Sequence, residues 1–296
     1  MRALYDVPAP AKLNLFLHVL GRREDGYHLL QSVFVPIDWA DTLHFERRDD
    51  GLLRRHDLTE ALPDDDLCLR AARALQQASG TRWGADIAIS KRVPSGAGMG
   101  GGSSDAATVL LALNRLWGLR WPRARLMEIG AGLGADVPFF LGLGPAWVEG
   151  IGERLTPIAL PGQEYCVVKP PASLPTRDIF ASPLLARHTK PAIVEDFLAD
   201  PAKFLTEQGK NDLQAAAQSL CAEVGQAARW LEERFGNSRM TGSGSAVFAT
   251  VSARMMGASA DASRRADELQ SELPEGWVGR WCRGLEQHPL SGWASD

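Results

Sequence analysis

The sequence predicts a mixed α and β fold, arranged as one large or two medium-sized domains. Three observations carry this prediction. Residues 8–20 alternate apolar and polar side chains in part, and residues 29–37 are also strand-like. A glycine-rich stretch leads into an apolar pattern with helical spacing over residues 106–117. The chain has 296 residues, a length typical of one large or two medium domains.

Further segments follow the same periodicities along the chain. Three short stretches are predicted as strands, at residues 85–90, 167–169 and 276–283. Four stretches are predicted to be helical, at residues 67–77, 122–133, 215–235 and 259–273. We expect residues 191–207 to be irregular and mobile from their composition, and the residues after His288 to be frayed.

The composition argues against several classes of protein. Apolar residues make up 45% and charged residues 23%, as in soluble globular proteins, and a net charge of −4 gives no bulk reason to bind nucleic acid or a membrane. The four cysteines lie far apart, which predicts reduced thiols and no zinc site. We find no signal sequence and no apolar run of about 18 residues. The sequence therefore predicts a cytoplasmic protein.

The stretch at residues 94–107, PSGAGMGGGSSDAA, is the strongest local signal. Glycine permits a positive φ and lets a ligand approach main-chain N–H groups. Ser103, Ser104 and Asp105 are predicted as N-cap residues of the helix that follows. A glycine loop at a helix N-terminus attracts anions, because unpaired N–H groups and the positive end of the helix dipole point outward. The stretch therefore predicts a phosphate-binding loop.

Three familiar phosphate loops fit this stretch poorly. A Walker A loop needs a lysine after its last glycine, and none is present near Gly102. The dinucleotide fingerprint matches at Gly96, Gly98 and Gly101, so an NAD-binding oxidoreductase remains an alternative. That fingerprint also requires an acidic residue about 20 positions further on, which is missing here. The His-Arg-Asp and Asp-Phe-Gly motifs of protein kinases are absent from the sequence.

The remaining pattern, Pro-x-x-x-Gly-Met-Gly followed by Gly, Gly, Ser and Ser, resembles the second motif of the GHMP kinases. With its additional glycines, the stretch resembles the motif as it occurs in one branch of the family. The members of that branch phosphorylate an alcohol bearing a cytidyl diphosphate, in non-mevalonate isoprenoid synthesis. The resemblance implies that this loop binds the phosphates of ATP. The residues assigned to ATP in this way are Pro94, Ser95, Gly96, Ala97, Gly98, Met99, Gly100, Gly101, Gly102, Ser103 and Ser104.

Two further stretches resemble the catalytic parts of the same family. Residues 10–15, PAKLNL, resemble its first motif, and they place Lys12 and Asn14 on one face of a predicted strand. Residues 134–140, GADVPFF, resemble the stretch that carries the catalytic aspartate. The resemblance implies that Asp136 accepts the proton of the acceptor hydroxyl, while Lys12 offsets developing charge.

Each of these residues also has a plainer interpretation. A lone lysine on a strand, such as Lys12, is usually a solvated charge. Asp136 could equally be a helix N-cap or form an Asx turn. We also expect the chain at Val137 to be extended, because Pro138 follows it.

Three segments resemble the part of the family's site that binds the acceptor. The motif DGYH at residues 25–28 implies that Tyr27 stacks on a cytosine base and that His28 forms a hydrogen bond with it. The stretch around Thr176 and Phe180 resembles a loop that covers the other face of the base. The third motif, TGSGSA at residues 241–246, implies that the acceptor contacts two residues there. The residues assigned to acceptor binding are Asn14, Tyr27, His28, Thr176, Phe180, Gly242 and Ser243.

Plain turns would also account for two of these segments. DGYH can be a hairpin turn with a tyrosine on its shoulder, and TGSGSA can be a glycine–serine turn between strands.

Taken over the whole chain, the resemblance implies an α+β, two-domain GHMP kinase fold. Residues 1–160 would form an ATP-binding domain like domain 2 of ribosomal protein S5, and residues 161–296 a ferredoxin-like domain, with the last strand able to return to the first domain. Mg²⁺ is expected with ATP, with Ser104 as a candidate ligand. The expected partners are ATP and the cytidyl-diphosphate acceptor, bound by a monomer or weak homodimer. A GHMP kinase for homoserine, mevalonate or a sugar, and a nucleotide-binding regulator without catalysis, remain alternatives.

Overall fold

The computed structural model describes residues 1–252 and 262–296. The strands of these residues are β1 (Ala3–Arg22), β2 (His28–Arg48), β3 (Leu53–Asp57), β4 (Gly84–Ser90), β5 (Ala146–Gly150), β6 (Arg154–Pro157), β7 (Glu164–Lys169), β8 (Arg239–Met240), β9 (Val247–Val251) and β10 (Val278–Arg283). Their helices are α1 (Leu67–Ser79), α2 (Gly101–Leu116), α3 (Arg123–Ala131), α4 (Val137–Leu141), α5 (Thr176–Ala181), α6 (Val194–Ala199), α7 (Pro201–Glu207), α8 (Gln214–Leu220), α9 (Ala222–Phe235) and α10 (Ala262–Glu272), with a 3-10 turn at Ser291–Trp293. None of these helices is long and apolar enough to cross a membrane.

The first sheet is built on the long strand β2. Strand β1 runs antiparallel along it, while β4 pairs with the second half of β2 and β5 with the first half. Strands β3 and β6 complete the sheet at its edges. Helices α1 to α4 contribute to the apolar core against this sheet, which includes Phe45, Ile87, Leu110 and Phe140. Both long strands are mostly buried, which explains their continuous apolar runs.

The second sheet has the strand order β10-β7-β9-β8 and is antiparallel throughout. Helices α8, α9 and α10 contribute residues to its core, together with Leu17 and Val19 of β1. A third apolar cluster lies between the two sheets, where Leu13 and Phe16 of β1 meet Tyr165 and Phe248. Strand β1 is therefore part of both halves of the molecule. The prediction of a mixed α and β fold is confirmed, and the boundary at residue 160 stays a prediction.

The expectation of an irregular, mobile segment at residues 191–207 is wrong. This segment forms the short helices α6 and α7, which bury Phe197 and Phe204. Both rings join Phe16 in an aromatic cluster, with centroid distances of 5.3 to 6.2 Å. The burial of these two aromatic side chains accounts for the ordered structure of the segment.

The expectation of a frayed C-terminus is also wrong. Strand β10 remains in the second sheet, and the residues after it return to the first, where Leu290 is buried in the core. The buried guanidinium of Arg123 donates hydrogen bonds to the carbonyl oxygens of Leu141, Ser291 and Ala294. A buried arginine of this kind fixes the terminal segment to α3.

The residues 259–261 of the predicted last helix lie outside the described residues.

His288 gives the terminal segment a specific pH dependence. Its side chain is 3% exposed, and Nδ1 accepts a hydrogen bond from the Leu290 N–H. Burial, together with the charge of Arg123, lowers the pKa of His288 from 6.5 to about 4. Because the unfolded chain then binds the proton first, this residue's contribution to stability is lost as the pH falls from 6.5 through 4.

We expect the free energy of unfolding to fall by about 3 kcal/mol more in the wild type than in a His288→Asn variant between pH 7 and pH 4. Asparagine keeps an acceptor for the Leu290 N–H but cannot titrate. Urea unfolding followed by tryptophan fluorescence at a series of pH values measures the difference. Parallel pH profiles for the two proteins would contradict this assignment.

Candidate active site

A cavity of about 260 Å³ lies where the first sheet, the glycine loop and the loop before β9 meet. Residues from distant parts of the sequence line it together. The sequence-predicted site residues among them are Lys12, Asn14, Gly96, Gly98, Gly100, Asp136, Thr176, Phe180, Gly242 and Ser243. The fold therefore brings the predicted catalytic pair, the third motif and part of the predicted phosphate loop to one place.

Lys12 lies at the bottom of this cavity and is 3% exposed. Its Nζ donates a hydrogen bond to Oδ1 of Asn14, lies 3.8 Å from Oδ2 of Asp136, and sits 4.6 Å from the ring centroid of Phe34. Burial lowers the pKa of Lys12, and the charge of Asp136 offsets part of that effect. The plain interpretation of a solvated lysine is wrong, because the side chain is enclosed beside a carboxylate and an aromatic face.

Asp136 occupies the N-cap position of α4. Within the part of the chain that the structure describes, its side chain makes no capping hydrogen bond, so its carboxylate is available to the cavity and to Lys12. The expectation of an extended chain at Val137 is wrong, because α4 begins there. Pro138 lies in the first turn of α4, where proline lacks only an N–H that has no helical partner.

Asn14 connects the first motif to the third. Its backbone N–H donates to Oγ1 of Thr241 at 3.0 Å, and its Nδ2 donates to Oγ of Ser32 at 3.0 Å. Its Oδ1 accepts from Lys12 and, at 3.3 Å, from Thr241. Asn14 thus orients both Lys12 and the loop that contains Thr241.

The glycine loop begins its helix earlier than predicted. Helix α2 starts at Gly101 with Gly100 as N-cap, so the expected cap residues Ser103, Ser104 and Asp105 lie inside the helix. Gly100 has a φ of 71°, a left-handed conformation that glycine adopts without strain. As a result, the unpaired N–H groups of the first turn belong to residues 101–103.

A second cavity, of about 370 Å³, lies directly over this loop. Residues 94–103 line it, so ten of the eleven residues predicted to bind ATP border one space. The exception is Ser104, which is fully buried and lines neither cavity. Unpaired N–H groups at the start of α2 and the adjoining cavity together form an anion-binding surface.

The glycine loop and the loop of the third motif touch through their backbones. A Cβ atom on Gly98, which has a φ of 73°, would lie 2.3 Å from the carbonyl oxygen of Thr241. A Cβ atom on Gly242 would lie 2.6 Å from the carbonyl oxygen of Gly98. The N–H groups of Ser245 and Ala246 also donate to the carbonyls of the glycine loop at 3.2 Å. Only glycine permits this approach at both positions.

A buried ionic cluster behind the glycine loop was not predicted. Nζ of Lys91 contacts carboxylate oxygens of both Asp41 and Asp105, and all three side chains are nearly inaccessible to solvent. Burial lowers the pKa of Lys91, but the two carboxylates outweigh it and raise the pKa overall. Oδ1 of Asp41 also accepts hydrogen bonds from the backbone N–H groups of Arg92 and Val93. The cluster fixes the end of β4 where it enters the loop.

Two oxygens near the start of α2 bear on metal binding. Oγ of Ser104 and Oδ1 of Asp105 are buried with no hydrogen-bond partner among the described residues, and Asp105 lines the loop cavity. Within residues 1–252 and 262–296 no group of three His, Cys, Asp or Glu side chains could hold a metal ion. Magnesium bound to nucleotide phosphates takes only one or two protein ligands. Ser104 borders neither cavity, so of the two residues only Asp105, whose other carboxylate oxygen contacts Lys91, lies where it could meet such an ion.

The predicted acceptor-binding residues form a second group at the edge of the cavity. The rings of His28 and Phe180 are stacked, with a centroid distance of 5.0 Å and an interplanar angle of 26°. Oγ1 of Thr176, at the start of α5, lies 2.8 Å from Oγ of Ser243. Tyr27 is 60% exposed and does not line the cavity, so its stacking role stays a prediction.

The contact between the two glycine-containing loops can be tested by stability. We expect Gly98→Ala to lower the free energy of unfolding by about 3 kcal/mol or more, because the new Cβ atom clashes with a backbone oxygen. Gly118 is the matched control, since its φ of 72° is similar but no atom of the described residues lies within 4 Å of where its Cβ would stand. Gly118→Ala should cost only about 1 kcal/mol. Equal losses in urea unfolding would contradict a tight loop contact.

Comparison with known proteins agrees with this geometry. The family described as GHMP kinases N terminal domain matches residues 66–143, and the family described as GHMP kinases C terminal matches residues 189–279. A 4-diphosphocytidyl-2-C-methyl-D-erythritol kinase of Methylibium petroleiphilum is 61% identical over 294 residues, covering 99% of both chains. The enzyme of the same name from Paracidovorax citrulli is 56% identical, covering 100% of this chain and 99% of its own.

Solved structures show the same fold. A crystal structure of a 4-(cytidine 5'-diphospho)-2C-methyl-D-erythritol kinase aligns with a TM-score of 0.75 and 34% identity, covering 94% of this chain and 98% of its own. Homoserine kinase from Cytophaga hutchinsonii aligns with a TM-score of 0.67 at 17% identity, covering 97% and 96%, and so shares the fold. On these matches, the chain belongs to the GHMP kinase family, among the 4-diphosphocytidyl-2-C-methyl-D-erythritol kinases.

Proposed function

We propose that the chain transfers the γ-phosphoryl group of ATP to the 2-hydroxyl of 4-diphosphocytidyl-2-C-methyl-D-erythritol, giving the 2-phosphate and ADP. The observation that carries this proposal is the meeting of three groups at one cavity. Lys12 and Asp136 line it, the glycine loop borders it, and the stack of His28 on Phe180 stands at its edge.

The glycine loop binds the β- and γ-phosphates. The N–H groups of residues 101–103 have no helical acceptor. They and the positive end of the α2 dipole face the 370 Å³ cavity over the loop. Fixed backbone donors of this kind stabilise the charge on the transferring phosphoryl group without reorganising during the reaction. Positioning and electrostatics supply most of the rate in phosphoryl transfer.

Asp136 accepts the proton of the acceptor hydroxyl as the oxygen–phosphorus bond forms. Its side chain is about one-third exposed and is not used to cap α4, so the carboxylate can reach a bound alcohol. Lys12 keeps the carboxylate oriented and offsets negative charge that develops on the phosphoryl oxygens. Asn14 fixes the lysine ammonium through its own hydrogen bond.

The cytidyl end of the acceptor binds at the edge of the cavity. Phe180 offers an aromatic face for the base, and His28 offers a ring nitrogen for a hydrogen bond. Thr176 and Ser243 place two hydroxyl groups beside the path of the diphosphate. Tyr27 lies on the exposed turn before β2 and closes over the base from the solvent side.

Magnesium bound with ATP would neutralise phosphate charge. Asp105, which borders the loop cavity, would hold the ion from the start of α2, whereas the predicted ligand Ser104 is enclosed and would not reach it. The partners are thus ATP and a small-molecule acceptor. A cytoplasmic location and a monomer or weak homodimer stay predictions.

Two alternatives from other classes find less support. A dinucleotide-binding fold needs a parallel strand after the helix that follows the glycine loop. Here α2 is followed by α3, and the strand parallel to β4 is β3, which precedes it in the chain. A regulator without catalysis would have no use for the buried contact between Lys12 and Asp136.

The proposal is tested by measuring ADP release with ATP, Mg²⁺ and one acceptor at a time. The acceptors are 4-diphosphocytidyl-2-C-methyl-D-erythritol, mevalonate, homoserine and galactose. We expect turnover with the cytidyl acceptor alone. Turnover with one of the other three would overturn the acceptor assignment while leaving the kinase chemistry in place. No ADP from any acceptor would favour the regulator.

The role of Asp136 predicts a separation of kcat from KM. We expect Asp136→Asn to lower kcat by about 10²- to 10⁴-fold, because the amide cannot accept the hydroxyl proton. The KM for the acceptor should change much less. Asp178, a half-exposed carboxylate on α5, supplies the control, and Asp178→Asn should leave both constants unchanged. A near wild-type kcat for Asp136→Asn would remove this residue from the chemistry.

A further inference from the structure

Arg187 contacts both of the segments that carry the stacked pair at the edge of the cavity. Its Nη2 donates to the carbonyl oxygens of Ser182 at 3.0 Å and Phe180 at 3.3 Å, at the end of α5. Its Nε donates to Nε2 of His28, at the start of β2, at 3.4 Å. The arginine therefore holds both members of the stacked pair, one through its backbone and the other through its ring.

The hydrogen bond to His28 determines where the imidazole proton lies. An arginine guanidinium donates hydrogen bonds and cannot accept them. Nε2 of His28 must therefore present its lone pair to Arg187. A neutral imidazole carries one proton, so that proton lies on Nδ1.

The local charges favour the same neutral form. Burial lowers the pKa of His28, and the positive charges of Arg187 and Arg22 lower it further. These two guanidinium groups come from the segment after α5 and from the end of β1, and among the described residues they are the charged groups that act on this ring. Near neutral pH the ring is then uncharged, with Nδ1 available as a donor.

We infer that Arg187 is a positioning residue that holds His28 as the neutral tautomer protonated on Nδ1 and keeps its ring against Phe180. The imidazole thereby presents a fixed N–H donor to the base of the acceptor. Cytosine carries adjacent acceptors, O2 and N3, on its pairing edge, which suits such a donor. This inference rests on the proposed function for the identity of the base, although the state of His28 itself does not.

The substitution Arg187→Met removes the donor and the charge while retaining a long side chain. Without them, both tautomers of His28 become accessible and the ring protonates more easily. A matched control exists on α5, because the Arg177 side chain is 93% exposed and lies close along the chain. Arg177→Met should behave as wild type in every measurement.

The direct test is a long-range ¹H–¹⁵N spectrum of the histidine rings in the full-length protein without substrate, with His28 assigned by a His28→Asn variant. We expect the wild type to show a protonated Nδ1 and an unprotonated Nε2. In Arg187→Met we expect a mixture of tautomers and a higher pKa for His28, because one of the positive charges that lower it is gone. Unchanged ring signals in Arg187→Met would overturn the inference.

Kinetics provide the second test. We expect Arg187→Met to raise the KM for the cytidyl acceptor about tenfold, with kcat and the KM for ATP within about twofold of wild type. Arg187→Lys, which keeps a charged donor, should recover part of the loss and also guards against a folding defect in the methionine variant. An equal rise in the KM for ATP would mean general damage and would overturn the inference. Because the spectra need no substrate, they stand even if another acceptor proves correct.

Discussion

The site depends on the backbone contact between the glycine loop and the loop of residues 241–244. At Gly98 and Gly242 the backbones of the two loops approach more closely than any side chain would allow. The glycine loop is also hydrogen-bonded to β1, since the N–H of Lys12 donates to the carbonyl oxygen of Met99 at 3.0 Å. These contacts bring β1, the N-terminus of α2 and the second sheet to one point. The cavity is the space left between them.

Charges around this point are arranged in two layers. Lys12 and Asp136 face the cavity, where a bound phosphoryl group and hydroxyl can reach them. Behind the glycine loop, Lys91 forms ion pairs with both Asp41 and Asp105, and these contacts fix the loop. Removing Lys91 would leave two buried carboxylates without a cation between them, which is strongly destabilising. The inner layer is therefore structural, and the outer layer is free to act.

The sequence predicted the parts of the site that lie on regular patterns. Alternation along β1 placed Lys12 and Asn14 on one face, and both line the cavity. The sequence could not predict the cluster around Lys91. Its partner Asp41 lies 50 residues away, and only the pairing of β2 with β4 brings the two together. Local rules also failed at Val137, where a proline that usually follows extended chain instead lies in the first turn of a helix. Arg187 carries no motif, and only the fold reveals its contact with His28.

The most direct measurement is a crystal structure with a non-hydrolysable ATP analogue, Mg²⁺ and the cytidyl acceptor bound together. The account predicts the γ-phosphate at the N-terminus of α2 and the acceptor hydroxyl within hydrogen-bond reach of Asp136. It also predicts the cytosine beside His28 and Phe180. A base bound elsewhere, or an acceptor hydroxyl out of reach of Asp136, would contradict the account.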